Sequence, residues 1–309
     1  MRKTTKEETN SGKTTKDGSY SMYEIFTRCI RPKIVPPSGA DASRLVEAAS
    51  RGDVQFLFKQ HRAYGVDFND RDPKDGLTPL ISSACSGSTA VVEFLLQQEE
   101  VDSNRRDEKS GRTALLWACE RRHYDIVRRL LLNKNHQIDV GAADKAGLTP
   151  VLSILRRGVL TEEERSILPM LLERCSKPSV DACQKRDGMT ALHLACRYGH
   201  IGAVALLLKH GASVHKTDRN GYTALHWTCL SGNLKAAKMI VDSAPRQLRL
   251  DIRASDGKTP MILASTYGSV ELTRYLHMKG ARIPKEPAVR DRAGRGRGNS
   301  RSRNKGRSK

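Results

Sequence analysis

Gly221-Tyr222-Thr223-Ala224-Leu225-His226-Trp227-Thr228-Cys229-Leu230-Ser231-Gly232, continued by Asn233 to Asp242, reads as a tight turn followed by two short helices. Glycine permits the turn. Thr223 can cap the first helix, its hydroxyl accepting from an early backbone N–H, an interaction of about 1 kcal/mol. Leu225, Thr228, Cys229 and Gly232 recur at helical spacing and form an inward face whose small residues let a second helix approach. Gly232 ends the first helix. Ala236, Ala237, Met239, Ile240 and Val241 mark the second. Neither helix is long enough to be stable alone.

The same opening, Gly-x-Thr-(Ala/Pro)-apolar, occurs six times between Gly76 and Met261. Its threonines, Thr78, Thr113, Thr149, Thr190, Thr223 and Thr259, lie 35, 36, 41, 33 and 36 residues apart. A period of this length marks stacked repeats rather than one globular core. The unit Thr190-Ala191-Leu192-His193-Leu194-Ala195-Cys196, with Gly199-His200, Leu206-Leu207-Leu208 and Gly211-Ala212, resembles the ankyrin repeat. An upstream unit matches more weakly: Leu45, Ala48, Ala49, Gly52 and Asp53 fall at the same offsets, with Ser43 in place of the threonine. The resemblance implies an all-α solenoid of about seven helix-turn-helix units with short β-turn fingers. The units fall near 43–72, 75–107, 110–143, 146–184, 187–217, 220–253 and 256–283, flanked by a basic segment at 1–40 and an Arg/Gly/Ser-rich tail at 284–309.

Aromatic residues make up 5% of the chain, so the core is expected to be Leu, Ile, Val and Ala. No apolar run approaches the ~18 residues of a membrane span. The first twenty residues show no secretory pattern, so the chain is expected in the cytoplasm and/or nucleus. Cys119, Cys196 and Cys229 each sit six residues after a repeat threonine, where a cysteine serves as a small core residue rather than half of a disulfide. His193 and His226 share one repeat position and are expected to bond neighbouring turns. There is no Cys-x-x-Cys, His-Glu-x-x-His or phosphate-loop motif, and Gly294-Arg-Gly-Arg-Gly298 lacks the strand–turn–helix context of a nucleotide site. No catalytic residue, cofactor or metal is expected.

On each first helix, positions two, five and six after the threonine are expected inward, and positions four, seven and eight on an outer face. That face gives the candidate partner-binding residues Trp117, Arg121, Arg156, Arg157, Leu194, Arg197, Tyr198, Trp227, Leu230 and Tyr267, with Lys185, Arg186, Lys216 and Arg219 on the fingers. Trp, Tyr and Arg dominate binding hot spots. The plainer reading is that the tryptophans pack across adjacent helices and the arginines form a solvated face. With few acids expected opposite them, the arginines favour an acidic partner held by a monomeric chain.

The fourth unit is eight residues longer than the spacing of 33, and Ile154 and Leu155 replace small residues, so looser packing is expected there. Thr161-Glu162-Glu163-Glu164 is a capping-box signature, but Pro169 would then lie inside the helix. A start after Ser166 is expected instead, leaving 159–165 as an acidic bulge.

Residues 1–40 are Lys/Thr/Ser-rich and then hold Pro32, Pro36 and Pro37, with a short apolar patch at Met22 to Ile30, and disorder is expected. The net charge of +20 divides into +4 for residues 1–40, +7 for 41–281 and +9 for 282–309. Arg292, Arg295, Arg297, Arg301, Arg303, Lys305 and Arg307 are therefore candidates for polyanion binding or nuclear import, against the alternative of a solubilising tail. A possible RNA or DNA partner follows from that tail. A ubiquitin-ligase receptor is disfavoured because no apolar segment follows Ile283.

Overall fold

The computed structural model describes residues 40–244, 248–267 and 269–282. The expectations for residues 1–39 and for the tail, with its seven candidate residues, lie outside the described residues.

Seven helix pairs follow one another among the described residues. They are α1 (Ala40–Arg51) and α2 (Val54–Tyr64), α3 (Pro79–Ser86) and α4 (Thr89–Leu95), α5 (Ala114–Arg121) and α6 (Tyr124–Leu132), and α7 (Pro150–Leu155) and α8 (Glu162–Arg174). After the single turn α9 (Lys177–Val180) come α10 (Ala191–Arg197) and α11 (Ile201–Lys209), α12 (Ala224–Leu230) and α13 (Leu234–Ser243), and α14 (Pro260–Tyr267) and α15 (Val270–Met278). First helices stack on first helices along the array, and second helices on second helices. Two isolated bridges, Cys183 with Thr190 and Thr217 with Thr223, are the β-pairing among the described residues.

The repeat threonines define the helix starts. Thr78, Thr113, Thr149 and Thr259 each accept a backbone N–H three residues on at 3.3 Å, and Thr190 does so at 3.4 Å. At Thr223 the hydroxyl lies 2.8 Å from His226 Nδ1. In the first unit Ser43 does not begin a helix: it lies within α1 and donates to Asp72 Oδ1 in the first finger at 2.6 Å.

The fingers are tied to one another by the backbone. Lys145 N donates to Ser110 O, Lys185 N to Ala146 O, Arg219 N to Asp187 O and Ser255 N to Asn220 O, at 2.8 to 2.9 Å. This close approach explains the glycine before five of the six repeat threonines; Gly257, before Thr259, has open space around it and is required by its positive φ of +80° alone. Gly147 has φ +80°, and a Cβ there would stand 2.7 Å from Cys183 O.

The core runs the length of the array. Leu57, Leu95, Leu116, Leu130, Ile154, Leu171, Leu207, Ile240 and Leu276 are all fully buried. Cys119, Cys196 and Cys229 lie in it, and burial pushes the Cys119 and Cys229 thiols up to about 12.

The fourth unit departs from expectation. Helix α8 starts at Glu162, with a capping box in which Glu164 N donates to Thr161 Oγ1 at 3.3 Å and Thr161 N to Glu164 Oε2 at 2.8 Å. Pro169 lies inside the helix. An interior proline costs about 3 kcal/mol; what outweighs it is that Glu164, in the first turn, is wholly buried in a polar network. Ile154 and Leu155 are fully buried too, and the short α7 ends directly after them.

Candidate functional site

Positions four, seven and eight after the threonine do not share one exposed face. Position four belongs to the edge of the core: Leu194, Ser153 and Leu263 there are buried. Leu194, expected on the binding face, is therefore a core residue. Only the two indoles reach outward from this position. Trp117 Nε1 donates to Asp107 Oδ2 at 2.8 Å, and Trp227 Nε1 to Asp218 Oδ2 at 3.1 Å, so each ring is fastened to the finger that leads into its own helix. Burial opposes ionisation of Asp107, but bonds from Ser110, the Trp117 indole and the Arg112 N–H hold its carboxyl below the ordinary range.

These rings are platforms for guanidinium groups. Arg112 and Arg121 lie over Trp117, at 4.9 and 5.7 Å from the ring centre. Arg197 lies 5.1 Å from the centre of Trp227 and 5.5 Å from that of Tyr198. Tyr222 flanks Trp227 at 5.5 Å and donates to Asp256 Oδ2 at 2.7 Å. Cation–π contact fixes an arginine in place without neutralising it. Arg121 and Arg197 are exposed, and neither makes an ion pair among the described residues. Lys185, Arg186, Lys216 and Arg219 are likewise exposed on the fingers. Leu230 is partly buried against the core, and Tyr267, at the end of α14, is exposed.

Arg156 and Arg157 behave differently, because acids do stand opposite them. Arg156 pairs with Glu120 at 2.9 Å, and Arg112 lies 4.0 Å from the same carboxylate. Arg157 is not a surface residue of the expected kind. Its guanidinium donates to Glu164 Oε1 at 2.7 Å, to Tyr124 Oη at 3.0 Å, and to the carbonyls of Cys119 and Glu120 at 3.1 and 2.9 Å. Tyr124 also donates to Glu164, and Arg122 approaches the same carboxylate at 3.9 Å. Burial works against the charge on Glu164, yet the bonds from Tyr124, the Thr161 N–H and Arg157 outweigh it and hold the carboxyl below its ordinary range. Burial and the Glu164 hydrogen bond together push the Tyr124 phenol up. Arg157 thus clamps the third unit to the fourth.

The repeat histidines are structural, as their shared position implies. Thr190 N donates to His193 Nδ1 at 3.0 Å, and His193 Nε2 is 3.0 Å from Lys216 O in the next finger. Thr223 N donates to His226 Nδ1 at 3.1 Å. Burial holds both histidines below their ordinary range. Among the described residues no group of three or more His, Cys, Asp or Glu is arranged to hold a metal, and no helix is long and apolar enough to cross a membrane.

Helix pairs joined by fingers, with capped threonines and a continuous Leu/Ala core, define a helical repeat stack. The family model for ankyrin repeats matches three times, at residues 45–144, 157–251 and 214–287, and the chain belongs to the ankyrin-repeat family. It is 28% identical to human inversin over 243 residues, which is 76% of this chain and 21% of inversin. It is 32% identical over 201 residues to a probable E3 ubiquitin-protein ligase, XBOS32, of Oryza sativa subsp. japonica, covering 57% of this chain and 39% of that protein. The chain therefore spans less than half the length of these curated relatives. The solved ankyrin repeat domain of Bcl-3, a member of the IkappaB protein family, matches with a TM-score of 0.59 at 24% identity, over 75% of this chain and 97% of that one, a likeness of fold.

Ankyrin repeats mediate protein–protein interaction, and the fold is typically non-catalytic. A protein partner is what this stack implies.

Proposed function

We propose that this chain is a non-catalytic adaptor that holds an acidic segment of a partner protein across its first helices and fingers. The carrying observation is the pair of exposed arginines, Arg121 and Arg197, each held on an aromatic platform and neither paired with a carboxylate among the described residues. A prepositioned guanidinium loses little side-chain entropy on meeting a carboxylate, and presents a planar fork suited to it. Lys185, Arg186, Lys216 and Arg219 extend the same sign of charge along successive fingers. Such a surface speeds association and is weakened by salt. The test is the affinity of a purified partner for wild-type protein and for the Arg121→Glu/Arg197→Glu variant. A loss of about a hundredfold, shrinking as salt rises, is expected; equal affinities would overturn the reading.

A second reading rests on the +9 charge of residues 282–309, which favours phosphate binding or nuclear import by the tail. Phosphate binding should fall with salt at a log–log slope of about −0.7 per neutralised phosphate on single strands and vanish in a chain ending at Pro284.

A further inference from the structure

We infer, resting on the adaptor reading, that the acidic partner segment lies extended across the fourth unit and carries two acidic residues about five to nine positions apart, one meeting Arg121 and the other Arg197. The first helices α5, α7, α10 and α12 stack in succession, and packed helices stand about 8 to 10 Å apart. Arg121 is the last residue of α5 and Arg197 the last of α10, so both stand at the same end of their helices, two steps apart. Arg121 lies over Trp117 of its own helix, whereas Arg197 reaches over Trp227 on α12, toward a third step. The two guanidinium groups are therefore separated by two to three steps, about 16 to 30 Å. An extended chain advances about 3.3 Å per residue and a helix about 1.5 Å, so the gap takes about five to nine residues of strand or about 11 to 20 of helix.

The surface between the two arginines favours the strand. At the fourth position after the threonine, Trp117 and Trp227 are partly exposed in the third and sixth units, while Ser153 and Leu194 hold that position in the fourth and fifth and are buried. The two rings thus stand at the ends of a trough. A helix, about 10 Å across with its side chains, would rest on the rings and leave the trough empty, whereas an extended chain, about half as wide, settles into it. Free positive charge is also confined to the ends. Arg112 pairs with Asp144 at 3.0 Å and Arg156 with Glu120 at 2.9 Å, so an acid midway along the segment meets arginines already neutralised and the Glu120 carboxylate beside them. An acid at either end meets a guanidinium held on an aromatic face and without an ion pair among the described residues. Such a surface selects the spacing of two acids rather than the total negative charge.

The test selects from a display library of random peptides, long enough to reach both arginines, on the purified full chain, and measures the selected sequences as synthetic peptides by fluorescence polarisation. Arg121→Gln and Arg197→Gln change exposed side chains, so both variants should fold, and thermal unfolding checks this. Selected peptides should share two acidic residues about five to nine positions apart. Each variant should bind them about tenfold more weakly. Double-mutant cycles should couple one acid to Arg121 and the other to Arg197, so that amidating an acid has no further effect once its own arginine is gone. A peptide of the same composition with its two acids side by side should lose about the same tenfold. Acidic peptides selected without a fixed spacing, acids more than about 11 positions apart, or cycles that couple one acid to both arginines would overturn the inference and leave the acidic-partner reading standing. A selection that yields no acidic sequence would overturn both.

Discussion

Arg157 is held by four hydrogen bonds, and among the described residues its wholly buried partner Glu164 has no other cation at hydrogen-bond distance. Removing one member of a buried pair leaves the other desolvated and uncompensated, so Arg157→Met should lower stability by about 3 kcal/mol, measured by urea unfolding. Acid acts on the same pair: a folded-state carboxyl held below its ordinary range contributes stability above that range and loses it as pH falls through the depressed value. His193 and His226 work in a different window. Their folded-state values are depressed, so the unfolded chain takes up protons first, and stability that is whole above about pH 6.5 declines as pH falls below it. The urea midpoint should drop between pH 7.5 and 5.5, and His193→Gln/His226→Gln should flatten that slope. Position counting alone placed Arg157 on the partner face. It extrapolated a helix to the eighth position, whereas α7 has six residues and ends at Leu155, which turns the side chain back toward Tyr124 and Glu164. The histidines and buried cysteines were readable because they recur at fixed offsets, and each offset has one environment.

At the scale of a helix, α8 shows two local rules in conflict. The capping box at Thr161 and Glu164 starts the helix early, and Pro169 pays for it with an unmade backbone bond to residue 165. Pro169→Ala should therefore raise the thermal midpoint, while Thr161→Ala should lower stability by about 1 kcal/mol. Weighing the proline more heavily than the cap led to the expectation of a later start. The burial of Glu164 depends on Tyr124, in α6, and on Arg157, in the loop after α7, and these contacts form only when the units stack. The remaining helix starts were readable because Thr-(Ala/Pro) encodes its own cap. The fingers were readable in position but not in their backbone ladder, which arises only when neighbouring units stack.

Across the whole molecule, an array in which each unit touches only its neighbours unfolds as a chain of coupled parts. The Arg157–Glu164–Tyr124 network spans the joint between the third and fourth units. Arg157→Met should then reduce the urea m-value as well as the midpoint, since weakened coupling lets the two halves separate. The candidate surface was partly evident in the sequence: both tryptophans and the arginines beside them follow from spacing. That Arg121 and Arg197 remain unpaired while Arg156 meets Glu120 follows only from the stack. The interaction reading is tested most directly by affinity purification from the native cells, with and without nuclease, of the full chain, the 1–284 truncation and the Arg121→Glu/Arg197→Glu variant, with captured proteins identified by mass spectrometry. The account predicts that the same proteins accompany the full chain and the truncation, survive nuclease, and are lost from the charge-reversed variant. Proteins that persist on the variant but disappear with the truncation or with nuclease would contradict it.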